Sequence, residues 1–214
     1  MSNNAAAIRK LYEVLLAGEF AACSRLMDES SMAPTLADRL AIARLIASEM
    51  GHYEVLAEQI TVSGGNPESA LTAHHRVFDE YHRVTMPTSW LEVLVKMHVG
   101  DGLAADFYAE VADMMPEEVR PTMRSVMAET GSSQFAVDQV RAAVADNPAV
   151  ASPLALWGRR LLGEAITHMQ WVLAEEEDVM TLLFDGNATL ANAAGFFDNM
   201  AARHAQRMAD LNLA

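Results

Sequence analysis

Apolar residues recur at three- and four-residue spacing along most of the chain, the period of a helix that buries one face. The first stripe reads Ile8, Leu11, Leu15, Ala22 and Leu26, and "DESSMAPT" ends it. The second reads Ile42, Leu45 and Leu56 and is opened by Thr35 as N-cap, with Asp38 three positions on, close to a capping box. After "TVSGGN", Asn66 and Pro67 start a connecting helix over about 67–84. "TMPTS" breaks that helix, and the Ser89/Glu92 pair opens a third bundle helix that reaches about Met115. A fourth starts at or just after Pro116 and stops before "DNPAVASP"; two more follow over about 153–177 and 188–211. No segment alternates as a strand would. The pattern predicts an all-α chain folded as a single domain over 1–214. Its four-helix bundle core lies within 1–147, and two C-terminal helices within 152–214 pack on it.

An acid interrupts each of the four bundle stripes. Glu19 sits in the first, and Glu49 with His52 in the second. Asp101 follows His98 in the third, and Glu129 with Ser132 stands in the fourth. Matching heights would turn four interruptions into one site. A hairpin turning near residue 34 puts Glu19 and Glu49 each about 15 residues, or roughly 22 Å, from the turn. One turning near residue 115 puts Asp101 and Glu129 each about 14 residues, or roughly 21 Å, away. Four carboxylates in a dry core cannot all stay ionised without compensation: either some are protonated, or cations lie between them. Carboxylates with imidazole suit iron or manganese, and a bundle interior is a place where such centres are built.

Composition narrows the classes further. With 214 residues, 51% hydrophobic and 21% charged, the chain can bury a sizeable core. The single Cys23 excludes an intramolecular disulfide and fits a reducing, cytoplasmic setting, where it reads as a small buried hydrophobe. No apolar run approaches the roughly 20 residues of a membrane span. "MSNNAAAIRK" lacks the basic-then-apolar order of a signal peptide. A net charge of −14 disfavours broad contact with nucleic acid or anionic membranes.

A Glu on one helix, then Glu-x-x-His on the next, then the same pattern repeated, resembles the ferritin-like di-iron carboxylate proteins, here over about residues 5–145. Within that superfamily, "LAGEF", "SEMGHYEVL", "WLEVLVKMHVGDGLAADFYAEV", "ETGSSQFAV" and "LALWGRRLLGEA" resemble the MiaE-like tRNA hydroxylase group. The resemblance implies a ferritin-like four-helix bundle and a non-haem di-iron hydroxylase or monooxygenase using dioxygen. It implies two irons per chain, with manganese as the alternative ion, and an external electron donor. Glu19 would be the single carboxylate of the first half, and Glu49 with His52 its Glu-x-x-His. Asp101 would be the acid of the second half, and Glu129 would begin the second Glu-x-x-His. Two positions depart from the pattern: Asp101 is shorter than Glu, and Ser132, a poor iron ligand, stands in place of the second His. His98, on the face of Asp101, is the candidate substitute.

The hydroxylated substrate of that group is a modified nucleoside in tRNA. The charge of this chain argues against tRNA and leaves a small molecule or a modified nucleoside as the expected partner, with a homodimer as the expected assembly. The alternative is a bundle whose metal site has degraded into a structural or interaction module, as Asp101 and Ser132 suggest. Iron storage would need a hollow shell of many copies. Other polar residues read as structural: Asp106 shares an expected solvated face with Glu92, Lys96 and Glu110, and Tyr108 reads as core. Arg159, Arg160, Glu164 and His168 read as ion-paired, and His74, His75, His82 and His204 have surface-like contexts.

Overall fold

A computed structural model describes residues 3–115, 117, 119–127, 134–183 and 190–214. Among these, all regular structure is helical. The helices are α1 (Asn3–Glu29), α2 (Leu36–Val62), α3 (Pro67–Val84), α4 (Trp90–Met114), α5 (Arg120–Met127), α6 (Gln134–Asp146), α7 (Ala151–Glu175), α8 (Glu177–Leu183) and α9 (Leu190–Asp210). No helix among the described residues is long and apolar enough to cross a membrane.

Local chemistry sets the helix starts. The Thr35 hydroxyl accepts from the Asp38 N–H at 3.1 Å and donates to the Asp38 carboxylate at 2.6 Å. Asn66 accepts from the Ser69 N–H at 2.8 Å with Pro67 at the first helical position. Ser89 accepts from the Glu92 N–H at 3.2 Å, while the Glu92 carboxylate accepts the Thr88 N–H at 2.6 Å. Each satisfies donors that a helix start otherwise leaves without partners. Gly64, at φ +82°, lets the chain turn after α2 in the left-handed region that a side chain resists.

Over the expected fourth helix, α5 and α6 are described; residues 128–133 between them, including the candidate ligands Glu129 and Ser132, lie outside the described residues. One feature differs from the sequence pattern. The expected helix over 153–177 breaks at Glu176 (φ −113°, ψ 75°), within the acidic run Glu175–Glu176–Glu177, and α8 follows as a separate short helix.

Long-range contacts fix the packing directions. Arg9 donates to the Ser63 carbonyl at 3.1 Å, and the Cys23 thiol lies 3.8 Å from the Ile46 carbonyl, so α1 and α2 are an antiparallel hairpin. Helix α3 runs parallel to α1: Lys10 is 3.5 Å from His74, and the Phe78 ring is so close to Gly18 that a Cβ there would meet it at 3.3 Å. Helix α4 runs antiparallel to α1, with Lys96 beside Glu29 and Tyr108 beside Glu19. Helix α7 packs against α3 and α4, and α6 and α9 cover α4 from outside.

The buried apolar residues form two clusters. One holds Leu26, Ile42, Leu45, Leu94 and Met97; the other holds Leu11, Leu15, Leu56, Ile60 and Val111. On α1 and α2 alike, the polar interruptions at Glu19, Glu49 and His52 fall between the two clusters, at the waist of the core.

Candidate metal centre

Glu19, on α1, is 6% exposed, and from α2 Glu49 and His52 are 9% and 4% exposed. Glu49 and His52 are three residues apart, so one helical face presents both. The antiparallel hairpin brings Glu19 level with them. His52 Nδ1 lies 3.3 Å from Glu19 Oε2 and 3.5 Å from Glu49 Oε2, and one donor atom from each of the three side chains falls within a 4.8 Å cluster. Ligands about 2.1 Å from one ion, at ordinary angles, stand roughly 3.0–3.5 Å apart. The separations of His52 Nδ1 from the two carboxylates match those between ligands of a single ion.

The electrostatics point the same way. Burial pushes Glu19 up to about 7 despite its hydrogen bond from His52, and the neighbouring Glu49 adds to the rise. Burial also opposes ionisation of Glu49, but hydrogen bonds from His52 and Glu19 outweigh it and hold this carboxyl below its ordinary range. Desolvation works against charge on His52, yet its bonds to Glu19 and Glu49 win and raise it to about 10. The cluster thus recruits a proton to serve as its cation, the role that a metal ion takes over when it binds. The Tyr108 hydroxyl donates to Glu19 Oε1, and Tyr108 is raised well above 10 by burial and then by Glu19. That phenol orients one ligand carboxylate from outside the set. Cys23, pushed up to about 12 by burial and by Glu49 and Glu19, is a neutral thiol beside the cluster.

The three residues form one wall of a cavity of about 210 Å³. Helices α1, α3, α4, α7 and α8 supply the rest, mainly with apolar side chains such as Leu11, Leu15, Phe78, Leu103, Phe107 and Leu173. Asp101 also lines it, with Oδ2 buried and without a partner among the described residues. Burial, then Glu49, pushes Asp101 up to about 7. It does not join the three-residue cluster. With Lys96 opposite Glu29 and Tyr108 opposite Glu19, the α4 residue level with Glu19 is Tyr108, and Asp101 falls more than a turn away, toward Arg25. His98 does not reach the cavity; the charges around it are Arg207, Asp210 and Arg141.

A family model described as a ferritin-like domain of actinomycetes matches residues 3–186. The chain belongs to this ferritin-like family. The match covers the hairpin that carries the cluster and continues through α7, beyond the expected four-helix core. Among curated proteins no match is found.

In this ferritin-like domain several residues near the cavity escaped the sequence pattern. Arg25 donates to Glu29 at 2.7 Å, and Lys96, 2% exposed, donates to Glu29 at 3.1 Å and to the Thr85 carbonyl at 2.6 Å. Lys96 is therefore not on a solvated face, and neither is Asp106, which is 8% exposed and paired with Arg203 and Arg207. His82 and His168 line the cavity, and His204 is 3% exposed, so of the four histidines with surface-like contexts His82 and His204 lie inside. The one available signal was spacing: Arg25 and Glu29 are an i,i+4 pair on the inner half of α1.

Proposed function

We propose that this protein is an iron-dependent oxygenase that hydroxylates a small, largely apolar molecule held in the cavity beside Glu19, Glu49 and His52. The observation that carries the reading is the convergence of two carboxylates and an imidazole on the wall of a mostly apolar, ligand-sized cavity. Glu19, Glu49 and His52 would hold the ion, and among the described residues Asp101 is the other carboxylate lining the cavity that could serve a second one. Iron bound there supplies dioxygen activation; manganese meets the same donor set. The chain's own contribution is to orient Glu19 through Tyr108, to keep the imidazole of His52 between the two carboxylates, and to exclude water with the apolar wall. Electrons come from a separate donor.

The MiaE-like resemblance supports hydroxylation as the reaction. The net charge of −14 and the modest volume of the cavity favour a small molecule over tRNA. The test is dioxygen uptake by protein loaded anaerobically with ferrous iron and supplied with a chemical reductant and a panel of apolar substrates. Substrate-stimulated uptake that vanishes in His52→Ala and Glu49→Gln is the expected result. Uptake identical in those variants, or none in the parent, removes the reading.

A second reading has its own observation: Tyr108, Glu19, His52 and Glu49 form a hydrogen-bonded network without an ion. In that reading the bundle is a structural or interaction module. Thermal stability indifferent to iron, manganese and chelator would select it.

A further inference from the structure

The far end of the cavity has the opposite character to the metal end. Six residues, or about 9 Å of helix, separate Glu19 from Arg25 on α1. Around Arg25 the cavity is lined by Lys96 of α4, His82 of α3 and His168 of α7. Among the described residues Arg25 and Lys96 share one ion-paired carboxylate, Glu29, and the Asp101 carboxyl also acts on Arg25. Glu29 engages one of the five guanidinium donors of Arg25, and Lys96 directs two bonds, to Glu29 and the Thr85 carbonyl, among the described residues. Burial pulls Lys96 down to about 8, more than Glu29 restores, so this ammonium is short of negative charge.

The imidazoles add to the imbalance. His82 Nδ1 is buried with no partner among the described residues. After burial, the charges acting on His82 are all positive: Arg25, Lys96 and His168. His168 is 6% exposed; its Nδ1 donates to the Glu164 carbonyl at 2.7 Å, which leaves Nε2 buried and without a partner among the described residues. The Tyr81 ring lies against both, 5.1 Å from His82 and 5.7 Å from His168, and fixes their planes. Donors and positive charge therefore face a mainly apolar space, whose acidic lining residues are Glu19 and Glu49 at the metal end and Asp101, which burial and then Glu49 push up to about 7.

We propose that the cavity binds an apolar monocarboxylate, its carboxylate seated on Arg25, Lys96 and His82 and its hydrocarbon body lying toward Glu19, Glu49 and His52. The carboxylate supplies the acceptors that the spare N–H groups of Arg25 and Lys96 and the Nδ1–H of His82 require. A cavity of about 150 Å³ holds benzene, so about 210 Å³ admits one ring with a substituent, or a chain of roughly eight carbons. The separation between the ends directs the reaction to a carbon of the body rather than to the carboxylate itself. This inference names the substrate class of the proposed oxygenase and rests on that reading for its chemistry, but its binding site can be tested without turnover.

The experiment is calorimetric titration of the full chain with octanoate and with the neutral isostere octanamide, first in chelator and then loaded anaerobically with ferrous iron. One octanoate per chain in both conditions, with octanamide at least tenfold weaker, is expected. His82→Phe and Arg25→Lys, the latter retaining the ion pair with Glu29, should each weaken octanoate at least fivefold and leave octanamide unchanged. Equal affinities for acid and amide, no binding of either, or binding of octanoate only when iron is present would overturn the proposal. Iron-dependent dioxygen uptake alongside failed octanoate binding removes the substrate class alone; octanoate binding to protein that takes up no iron removes the oxygenase alone.

Discussion

Two groups of buried charge face the same cavity and have different chemistry. Around Glu29, two cations and a backbone carbonyl surround one carboxylate, and every bond is direct: Arg25 at 2.7 Å, Lys96 at 3.1 Å, Lys96 to Thr85 at 2.6 Å. Around Glu19, two carboxylates converge on one imidazole, and the nearest contacts are 3.3 and 3.5 Å. The first group is cationic and ties α1 to α4 and the end of α3. The second is anionic and is held by a proton shared with His52 and by the Tyr108 hydroxyl. The first group has two cations to one carboxylate and donors to spare, whereas a surplus of ligand-type oxygen with a nitrogen between is a place for a cation.

The largest effect expected from breaking this contrast is at Glu29. Glu29→Gln leaves Arg25 and Lys96 buried without a carboxylate and should cost about 3–5 kcal/mol, read as a fall in the urea midpoint at unchanged slope. A stability close to the parent's would mean that water reaches these cations. At the other cluster, ferrous or manganous ion at about a hundredfold its dissociation constant should add about 2.7 kcal/mol, reversed by chelator. Glu19→Gln and His52→Ala should abolish that response, and Glu29→Gln should retain it; thermal unfolding with and without metal tests all three.

Tyr108→Phe sharpens the comparison from outside the ligand set. It removes a hydrogen bond to a buried carboxylate and should cost about 2 kcal/mol while leaving metal stoichiometry intact. Loss of the metal along with the hydroxyl would make Tyr108 part of the centre itself. At neutral pH the smallest effect lies away from both clusters. His204, lowered to about 4 by burial and by Arg207, with Asp106 opposing, stays neutral in the native state, while the unfolded chain protonates near 6.5. The unfolded state therefore binds more protons between those values. Stability should fall as pH drops from about 6.5 to about 4, and His204→Leu should flatten the pH dependence in that window.

The hairpin half of the site was legible because its rules are local. Glu49 and His52 share a face by helical period, and equal arm lengths about a short turn put Glu19 beside them. The level of Asp101 was not. Asp101 was expected level with Glu19, but α4 registers against α1 through Lys96–Glu29 and Tyr108–Glu19, contacts between residues 67 and 89 positions apart. Helices α3 and α7, expected as connector and cover, instead wall the cavity, because α7 buries Leu161, Ala165, His168 and Leu173 along one side.

The sequence by itself determined an all-helical chain, its caps, and a Glu, Glu-x-x-His triad at one level of an antiparallel hairpin. Periodicity and capping act over three or four residues, and a short turn leaves a hairpin few registers to choose from. Tertiary structure alone decided that Tyr108 rather than Asp101 meets Glu19, that Arg25 and Lys96 share Glu29, and that His82 and His168 look into a cavity. Those pairings depend on side-chain fit between distant helices, where a shift of one turn leaves each stripe's pattern unchanged but exchanges every partner.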